Sequence, residues 1–513
     1  MAEDELVCDV RFFEHEWLRI SRDCRLIVAQ NSEPLQSIPV RLYHLNGLPS
    51  ATWGDLIEHY RLVKVVWAGE LHFSTWFGGD GPLYPLLAAE FTRLVGLSFL
   101  HLKLFSALIG TGMVVVTYLY AQSLFDRQVA RVAGLVAGVS FWGVSYSRQG
   151  KPYIMVALLF GLLLYLLVKR RWIWAGLVIG LGTLVQASFW GALLLSFYRW
   201  QTALVAWLLS IPAFFKMTDV FTPGDYLGDK VNFHLPVLEL VRRLGINIFE
   251  NIGAFFWRGD PGFRATIPNA PLLDPLSSLF FATGLVLVVW WVFKTGKRNY
   301  LSYILNPFIV VQIPSLMDVV NYRSNPNSGR MIGVLPVVYL LVALGLVTIG
   351  RKIDRRWLRN GFYGFSLCVI AGLNIWNYYV VYPRTLPDHN VPFAETISAY
   401  LNDSSPKIDH VVMVECCWGQ EGQPEPDGIR FELQNPGRFA YIPQKNFSIN
   451  AVKLYAQTGP LLLILNPDDL ALQDRLRRLY PRARMVTLWA GGYRVAQLMV
   501  IDMNSSYQGF QPQ

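Results

Sequence analysis

The chain has 513 residues, of which 53% are hydrophobic and 16% are charged, and its mean hydropathy is +0.32. Soluble globular chains carry about a quarter charged residues, so this composition excludes a protein whose only solvent is water. The net charge of +9 lies mostly in short clusters between apolar runs. That pattern indicates membrane topology and argues against nucleic acid as a partner.

About ten apolar runs of spanning or near-spanning length follow one another along the chain, judged against the roughly 20 residues that a bilayer requires. They cover 101–123, 128–146, 153–168, 172–187, 189–200, 202–216, 276–293, 300–319, 331–349 and 361–381. Lys and Arg cluster at alternate ends of these runs, and the positive-inside rule places those clusters in the cytoplasm. We therefore predict a multi-pass protein of the plasma (inner) membrane.

With that orientation, nearly all the long loops lie on the extracytoplasmic side. These segments are 55–80, 147–152, 217–274, 321–330 and everything after 382. Polar groups that a bilayer rejects gather at functional sites of membrane proteins. An active site is therefore expected on this face.

Two segments near the first extracytoplasmic loop are predicted to be helices along the membrane surface. A full crossing by 82–96 would reverse every later loop, so we expect this stretch to lie in or dip into the outer interface. In 59–67 the spacing puts Tyr60, Val63 and Trp67 on one face, as in an interfacial helix. The alternative is an ordinary helix, of the type found in soluble proteins, packed on the bundle.

The sequence after residue 382 has a different pattern. Runs typical of β-strands at 410–415 and 461–465 alternate with helical or turn segments such as 467–480. This alternation predicts a small extracytoplasmic α/β domain over 383–513. Residues 1–40 are polar and contain neither a spanning run nor a signal-peptide core.

The five cysteines show no metal-ligand spacing with histidine. The neighbours Cys416 and Cys417 are interpreted as an ordinary strand pair rather than a vicinal disulfide. We predict no metal site from these residues.

The first extracytoplasmic loop is the densest polar set. Asp55 follows a Trp-Gly pair and opens a predicted helix that also carries Glu58 and His59. Its carboxylate is expected where a helix N-terminus meets the bilayer surface, and the alternative is a plain N-cap. Asp80 and Tyr84 follow in an Asp-Gly-Pro-Leu-Tyr-Pro stretch.

The second set is 147–153, which includes Arg148, Lys151 and Tyr153. The two cations stand on the side that should be poor in positive charge, and both suit phosphate oxygens. The alternatives are an ion pair with an acidic loop residue or contact with lipid headgroups. Two further sets, 257–264 with Arg258 and 322–330 with Arg330, lie on the same face.

Nucleotide-binding loops, HExxH zinc helices and GxSxG nucleophile elbows are absent from the sequence. Their absence argues against ATP-driven transport, zinc proteolysis and serine hydrolysis. A reaction that needs one base and a clamp for an anionic leaving group remains compatible with the residues.

These residues resemble the polytopic glycosyltransferases of the GT-C class, in the protein mannosyltransferase and lipid A aminoarabinose transferase group. The resemblance runs from about Arg41 to about Tyr382. Its best stretches include Arg41-Leu-Tyr-His-Leu with Asp55, Asp80-Gly-Pro-Leu-Tyr-Pro, Ser147-Arg148 with Tyr153, Arg258-Gly-Asp-Pro, and Pro326-Asn-Ser-Gly-Arg330. It implies an all-α polytopic membrane bundle, GT-C-like, over 41–382.

The resemblance also implies an activity. A sugar would move from a polyprenyl-phosphate carrier to a lipid, glycan or protein acceptor, with Asp55 as the general base and with inversion at the anomeric carbon. Arg148, Lys151 and Arg330 would hold the carrier phosphate. The further candidates for substrate binding are Glu58, His59, Asp80, Tyr84, Tyr153 and Arg258.

The chain departs from the family pattern at three places. Leu56 follows Asp55 where relatives usually have Glu, and Gln149 and Gly150 stand where relatives often have an acid. The second departure weakens the case for a divalent cation, and no other cofactor is predicted. The expected first spanning helix before Arg41 is not evident.

Two other functions compete with this prediction. A catalytically inactive relative, or a protein that binds or transports a lipid-linked sugar, would share the pattern without the transfer reaction. A solute transporter would carry polar groups near the middle of several helices. Gln186 is the most conspicuous such residue, and one buried amide is more often contact between helices.

Overall fold

A computed structural model of the chain describes residues 37–50, 54–70, 79–220, 235–296, 298–404, 408–443 and 448–501. Over these residues the protein is a mostly helical bundle followed by a small part with one five-stranded sheet. This architecture confirms the predicted fold class. Residues 1–36, which bear on the missing first helix, lie outside the described residues.

The first eleven α-helices of the described residues lie in the first half of the chain. They are α1 (Ser37–Leu42), α2 (Asp55–Trp67), α3 (Leu83–Val95), α4 (Phe99–Leu124), α5 (Arg127–Val139), α6 (Phe141–Ser147), α7 (Tyr153–Val168), α8 (Trp172–Thr183), α9 (Leu193–Ser196), α10 (Trp200–Val220) and α11 (Val237–Gly253).

The later helices complete the bundle and flank the sheet. They are α12 (Pro275–Lys294), α13 (Arg298–Tyr300), α14 (Asn306–Val310), α15 (Ile313–Leu316), α16 (Leu335–Arg351), α17 (Arg356–Trp376), α18 (Tyr382–Thr385), α19 (Phe393–Ser404), α20 (Pro426–Glu432), α21 (Ile449–Thr458) and α22 (Leu470–Leu479).

Four helical segments of the described residues are long and apolar enough to cross a membrane. They are α4, α12, Ile332–Arg351 around α16, and Arg356–Thr385, which begins with α17. Helices α5 and α6 form a fifth crossing if they are counted as one span bent by 56°. Fewer long spans are present than the apolar runs predict, and α7, α8 and α10 contribute shorter apolar helices.

Breaks within the apolar runs explain part of this difference. The predicted span 300–319 divides into α13, a π-helical turn at Leu301–Leu305, α14 and α15. Pro307 and Pro314 lie in this run, and a proline removes a helical hydrogen-bond donor. The predicted span 189–200 is likewise divided, between a 3₁₀ helix at Ala187–Ala192 and α9.

Glycines let the central helices α12 and α16 approach each other closely. A Cβ atom on Gly284 would lie 2.0 Å from the carbonyl oxygen of Leu341, and one on Gly345 would lie 2.0 Å from that of Phe280. Such backbone contact requires small residues. Helix α16, most of whose residues are buried, is therefore packed closely against α12 inside the bundle.

Helix α2 packs inside the protein rather than along a lipid surface. The Tyr60 and Val63 side chains are both fully buried. The Tyr60 ring lies 3.7 Å from the Phe99 ring of α4 and 4.0 Å from the Phe431 ring of α20, centroid to centroid. The expectation that Tyr60 and Val63 face the membrane interface is wrong. Phe99 and Phe431 pack on the Tyr60 ring, and Val63 is buried as well.

The sheet near the C-terminus has the order β2-β1-β3-β5-β4. Its strands are β1 (His410–Val414), β2 (Phe439–Ile442), β3 (Leu461–Leu465), β4 (Arg484–Ala490) and β5 (Tyr493–Ile501). Strands β1, β2 and β3 are parallel, whereas β5 runs antiparallel to β3 and β4. The predicted strands at 410–415 and 461–465 correspond to β1 and β3.

Cys416 and Cys417 form a vicinal disulfide just beyond β1. The expectation of an ordinary strand pair is wrong, because the strand has ended at Val414. Glu415 and Cys417 have φ values of 62° and 70°, outside the extended region of a strand. The Tyr441 hydroxyl donates to the Cys416 sulfur at 3.2 Å.

Candidate active site

Helix α2 begins at Asp55, the predicted general base. Its backbone is in the first turn of the helix, but its side chain lies outside the described residues, and its role stays a prediction. Gly54 occupies the N-cap position with a φ of 51°, a left-handed conformation that glycine adopts at no steric cost. Asp55 is thus the first helical residue and not the N-cap, which was the alternative interpretation.

The first turn of α2 packs against the connection between α6 and α7. A Cβ atom on Gly150 would lie 3.4 Å from Cδ1 of Leu56, and one on Gly54 would lie 3.9 Å from a terminal guanidinium nitrogen of Arg264. The side-chain nitrogen of Gln149 donates to the carbonyl oxygen of Arg264 at 2.6 Å. Three of the predicted polar sets therefore meet at the start of α2.

A buried polar network anchors α2 to the stretch before α3. His59 Nε2 lies 3.2 Å from Asp80 Oδ2, and both side chains are buried. Gln186 Nε2 donates to Asp80 Oδ1 at 2.8 Å, and Gln186 Oε1 accepts from the Ser188 hydroxyl. Buried polar groups that pair in this way fix the relative position of their elements. His59 and Asp80, which both belong to the first polar set, thus lie together.

Tyr84 and Lys151 are brought together through α4. The Tyr84 hydroxyl lies 2.9 Å from Ser106 Oγ, and Ser106 also donates to the carbonyl oxygen of Lys151 at 3.5 Å. The side chains of Tyr84 and Lys151 are both buried. Lys151 thus lies one residue from the contact between Gly150 and α2.

Arg148 is fully buried and is used by the fold itself. Its guanidinium donates to the carbonyl oxygens of Val40, Arg41, Tyr43, His44 and Leu48 and to the hydroxyl of Tyr379. These contacts correct the expectation that Arg148 holds a phosphate, since its donors are directed at the 40–48 backbone. The guanidinium fixes the segment that leads into the first loop.

The two later polar sets join at a buried carboxylate. Asp260 Oδ2 accepts from the amide of Ser328 at 2.8 Å and from its hydroxyl at 2.5 Å. Burial raises the pKa of the Asp260 carboxyl, while the hydrogen bonds from Ser328 oppose that rise. The Tyr146 hydroxyl lies 2.7 Å from Ser328 Oγ, and a Cβ on Gly329 would lie 2.9 Å from the Tyr153 ring.

The three remaining predicted binding residues form ion pairs. The pairs are Glu58 with Arg61 at 2.8 Å, Arg258 with Glu250 at 3.6 Å, and Arg330 with Asp318. Exposed pairs such as the first contribute at most about 1 kcal/mol. Within the described residues, no group of three or more His, Cys, Asp and Glu side chains is placed to hold a metal ion.

Several polar residues of the site were not among the predicted site residues. Ser106 and Gln186 lie inside apolar runs, and a polar group in such a run is itself a signal of function or helix contact. Arg264 belongs to the third polar set but was not singled out. Glu425, whose carboxylate accepts from the Gly54 amide at 2.6 Å, had no such signal, because it approaches α2 from the C-terminal part of the chain.

The sequence of 80–218 matches the family model of dolichyl-phosphate-mannose-protein mannosyltransferases. This range contains Asp80, Tyr84, Arg148 and Lys151, and so includes much of the candidate site. None of the curated proteins matches the chain.

Several solved structures match this chain over most of its length. ArnT from Cupriavidus metallidurans in the apo state is 11% identical with a TM-score of 0.49, and the match covers 94% of this chain and 98% of that one. ArnT bound to undecaprenyl phosphate is 11% identical with a TM-score of 0.49, covering 96% and 99%. The Archaeoglobus fulgidus oligosaccharyltransferase in the apo form is 12% identical with a TM-score of 0.48, covering 87% and 70%.

The family match lies within the part of the bundle that runs from the Asp80 network through α10. It includes the stretch from Asp80 to Pro85 and the pair Ser147-Arg148 with Tyr153, whereas Asp55, Arg258 and Arg330 lie outside it. The resemblance to the protein mannosyltransferase group of GT-C glycosyltransferases is therefore confirmed, and residues 80–218 carry it.

Proposed function

We propose that the protein is an inverting membrane glycosyltransferase that uses a polyprenyl-phosphate-linked sugar. The acceptor is a hydroxyl or amine of a lipid, glycan or protein at the outer face of the plasma membrane. The observation that carries this proposal is the meeting of three polar sets, distant in sequence, around the start of α2. The match of 80–218 to mannosyltransferases named for a dolichyl-phosphate-linked sugar supports the donor class.

Asp55 is the proposed general base. It stands at the first position of α2, where the partial positive charge of a helix N-terminus favours a carboxylate over its protonated form. The carboxylate would accept the proton of the acceptor as the acceptor oxygen or nitrogen bonds to the anomeric carbon. The bond between that carbon and the phosphate oxygen breaks on the opposite face, which gives inversion.

Lys151 and Arg264 are the proposed cations for the carrier phosphate. Lys151 follows Gly150, which packs on Leu56, and the Arg264 guanidinium lies near Gly54, so both flank the first turn of α2. Cations near the leaving phosphate stabilise the charge that develops as the glycosidic bond breaks. The sequence suggests Arg148 for this role, but its guanidinium donates to backbone carbonyl oxygens of 40–48. We therefore assign the role to Arg264.

His59 and Asp80 are proposed to hold the base in position. His59 lies four residues after Asp55, so the two share one face of α2. Its contact with Asp80, together with the hydrogen bond from Gln186, ties that face to the stretch that precedes α3. Fixing both reactants in line supplies a large part of the acceleration in such reactions.

Transfer by the purified protein tests the proposal. The protein is placed in lipid nanodiscs with a labelled polyprenyl-phosphate-linked sugar and membrane extract as acceptor, and product is followed by thin-layer chromatography. We expect label to leave the polyprenyl carrier only when the protein is present. In cells that lack the protein, mass spectrometry should show accumulation of one lipid-linked sugar.

Two results contradict the proposal. Binding of the lipid-linked sugar without release of the carrier phosphate would identify a binding protein or an inactive relative. Movement of the intact lipid-linked sugar between leaflets, with no transfer, would identify a transporter.

A further inference from the structure

The C-terminal part of the chain contacts the segment that leads into Asp55 at two points. Before Asp55, the amide of Ser50 donates to Asn390 Oδ1 at 2.7 Å, and Asn390 Nδ2 donates to the carbonyl oxygen of Gly47 at 2.9 Å. Directly before α2, the amide of Gly54 donates to Glu425 Oε1 at 2.6 Å. Residues more than 330 positions away therefore hold the chain at two points before the proposed base.

The contact of Glu425 with Gly54 occurs at a backbone group that the helix cannot satisfy itself. The amides at a helix N-terminus have no intrahelical acceptor, and a glycine N-cap has no side chain to supply one. A carboxylate that accepts such an amide makes a short, charge-assisted hydrogen bond. Glu425, from the C-terminal part of the chain, thus caps the N-terminus of α2, which its own N-cap residue cannot do.

The same surface continues along α2 as an aromatic and charged contact. The Phe431 ring of α20 packs against Tyr60, and the ammonium nitrogen of Lys64 lies 3.9 Å from the centre of that ring. The next residue, Glu432, is largely buried near Lys64 and Lys103. Helix α20, which Glu425 directly precedes, is therefore packed against α2 at Tyr60 and Lys64, and this packing helps to place Glu425 at Gly54.

We propose that Glu425 is a positioning residue for the catalytic segment, and that the C-terminal domain thereby completes the active site. The inference rests on the proposed role of Asp55. Glu425 acts through the Gly54 amide: it fixes where α2 begins and so where the carboxylate of Asp55 stands. The C-terminal domain is then required for turnover even when the acceptor makes no contact with it.

Three variants of the full-length protein separate this role from a general loss of folding. Glu425→Ala removes the acceptor, whereas Glu425→Gln keeps a side-chain oxygen at the same reach. Asp427→Ala is the matched control, since Asp427 lies in α20, is exposed, and pairs with Arg430 at 3.1 Å. All three are assayed in nanodiscs for kcat and for KM of the lipid-linked sugar.

We expect Glu425→Ala to lower kcat by about 10- to 100-fold with KM changed by less than about threefold, because a displaced base slows chemistry more than binding. Glu425→Gln should recover most of the activity, and Asp427→Ala should match the wild type. A wild-type kcat in Glu425→Ala would overturn the proposal. So would a Gln variant as impaired as the Ala variant, since an amide oxygen still accepts the Gly54 N–H.

Hydrogen exchange gives a second reading that does not depend on turnover. Peptides that cover residues 54–60 should exchange faster in Glu425→Ala than in the wild type and in Glu425→Gln, while peptides of β3 stay unchanged. Faster exchange in β3 as well would show lost folding rather than lost positioning, which contradicts the specific role. If the wild type transfers no sugar, the proposed function fails. Equal exchange of residues 54–60 in the wild type and in Glu425→Ala would separately reject the role of the contact with Gly54.

Discussion

The imidazole of His59 and the carboxylate of Asp80 lie 3.2 Å apart inside the protein, and they join α2 to the stretch before α3. Only about 1% of the His59 side chain and 11% of the Asp80 side chain is exposed. Because water cannot replace either partner, loss of one leaves the other buried without its contact. The pair is thus both a structural link and a support for the proposed base one turn away.

A double-mutant cycle tests this link. His59→Ala and Asp80→Ala should each lower the free energy of unfolding by about 1 to 3 kcal/mol, as expected for an unsatisfied buried polar group. The double variant should cost less than the sum of the two, measured from thermal unfolding in detergent. Glu58→Ala, which removes only a surface pair with Arg61, is the control. Strictly additive costs would show that the two residues do not interact.

Replacing Asp55 by Asn should abolish transfer while donor binding stays close to that of the wild type. The amide cannot take a proton, so the rate should fall by about 100-fold or more. The measurement pairs turnover with the dissociation constant of the lipid-linked sugar. Glu90→Gln, at an exposed carboxylate of α3 that pairs with Arg93, should retain activity. Unchanged turnover in Asp55→Asn would remove the base assignment.

Arg148 and Lys151 should respond differently to truncation. Arg148→Ala removes the donors for the carbonyl groups of 40–48, so we expect a lower thermal midpoint and little folded protein. Lys151→Ala should fold and weaken donor binding by about 10-fold or more, since a hydrogen bond to a charged group contributes about 1.5 to 3 kcal/mol. Lys151→Arg should keep part of the affinity. Normal donor affinity in Lys151→Ala would favour the alternative ion pair or lipid contact.

The stability of the contact between α20 and α2 should fall as the pH rises. Burial raises the pKa of Glu432 above 4.5, although Lys103 and Lys64 oppose the rise. A carboxyl with a raised folded pKa favours the protonated form. Its contribution to stability is therefore complete below the ordinary pKa and is lost as the pH passes the raised value.

Thermal midpoints of the wild type and Glu432→Gln from pH 4 to pH 8 measure this effect. The two should agree at the acid end, and the wild type should become relatively less stable as Glu432 ionises. Asp427→Asn, an exposed carboxyl in the same helix, should show no such trend. A difference between the two midpoints that grows toward acid pH would contradict this prediction. It would mean that Lys103 and Lys64 lower the pKa of Glu432 by more than burial raises it.

Much of the helical bundle and sheet could be predicted from the sequence because their signals are local. Apolar runs predict α4, α12 and α16 to within a few residues, and β-type runs predict β1 and β3. Spanning length was less predictable. Whether a run such as 300–319 stays one helix depends on how neighbouring helices satisfy the backbone around its prolines.

The environment of individual residues could not be read in the same way. Arg148 and Lys151 have the same charge and lie three residues apart, yet Arg148 donates to backbone carbonyls, whereas Lys151 follows Gly150, which packs on Leu56 of α2. Tyr60 and Val63 have the spacing of a membrane-facing stripe, but both are buried, and Phe431 packs on Tyr60. Such differences depend on contacts across hundreds of residues.

The sequence by itself determined that the chain needs a membrane, that polar loops alternate with apolar runs, and that Asp55 opens a helix, because composition and periodicity act over short distances. Only the tertiary structure decided which polar groups meet. It brought Gly150 to Leu56, Asp260 to Ser328 and Glu425 to Gly54, since long-range packing sets these pairs and no local pattern encodes them.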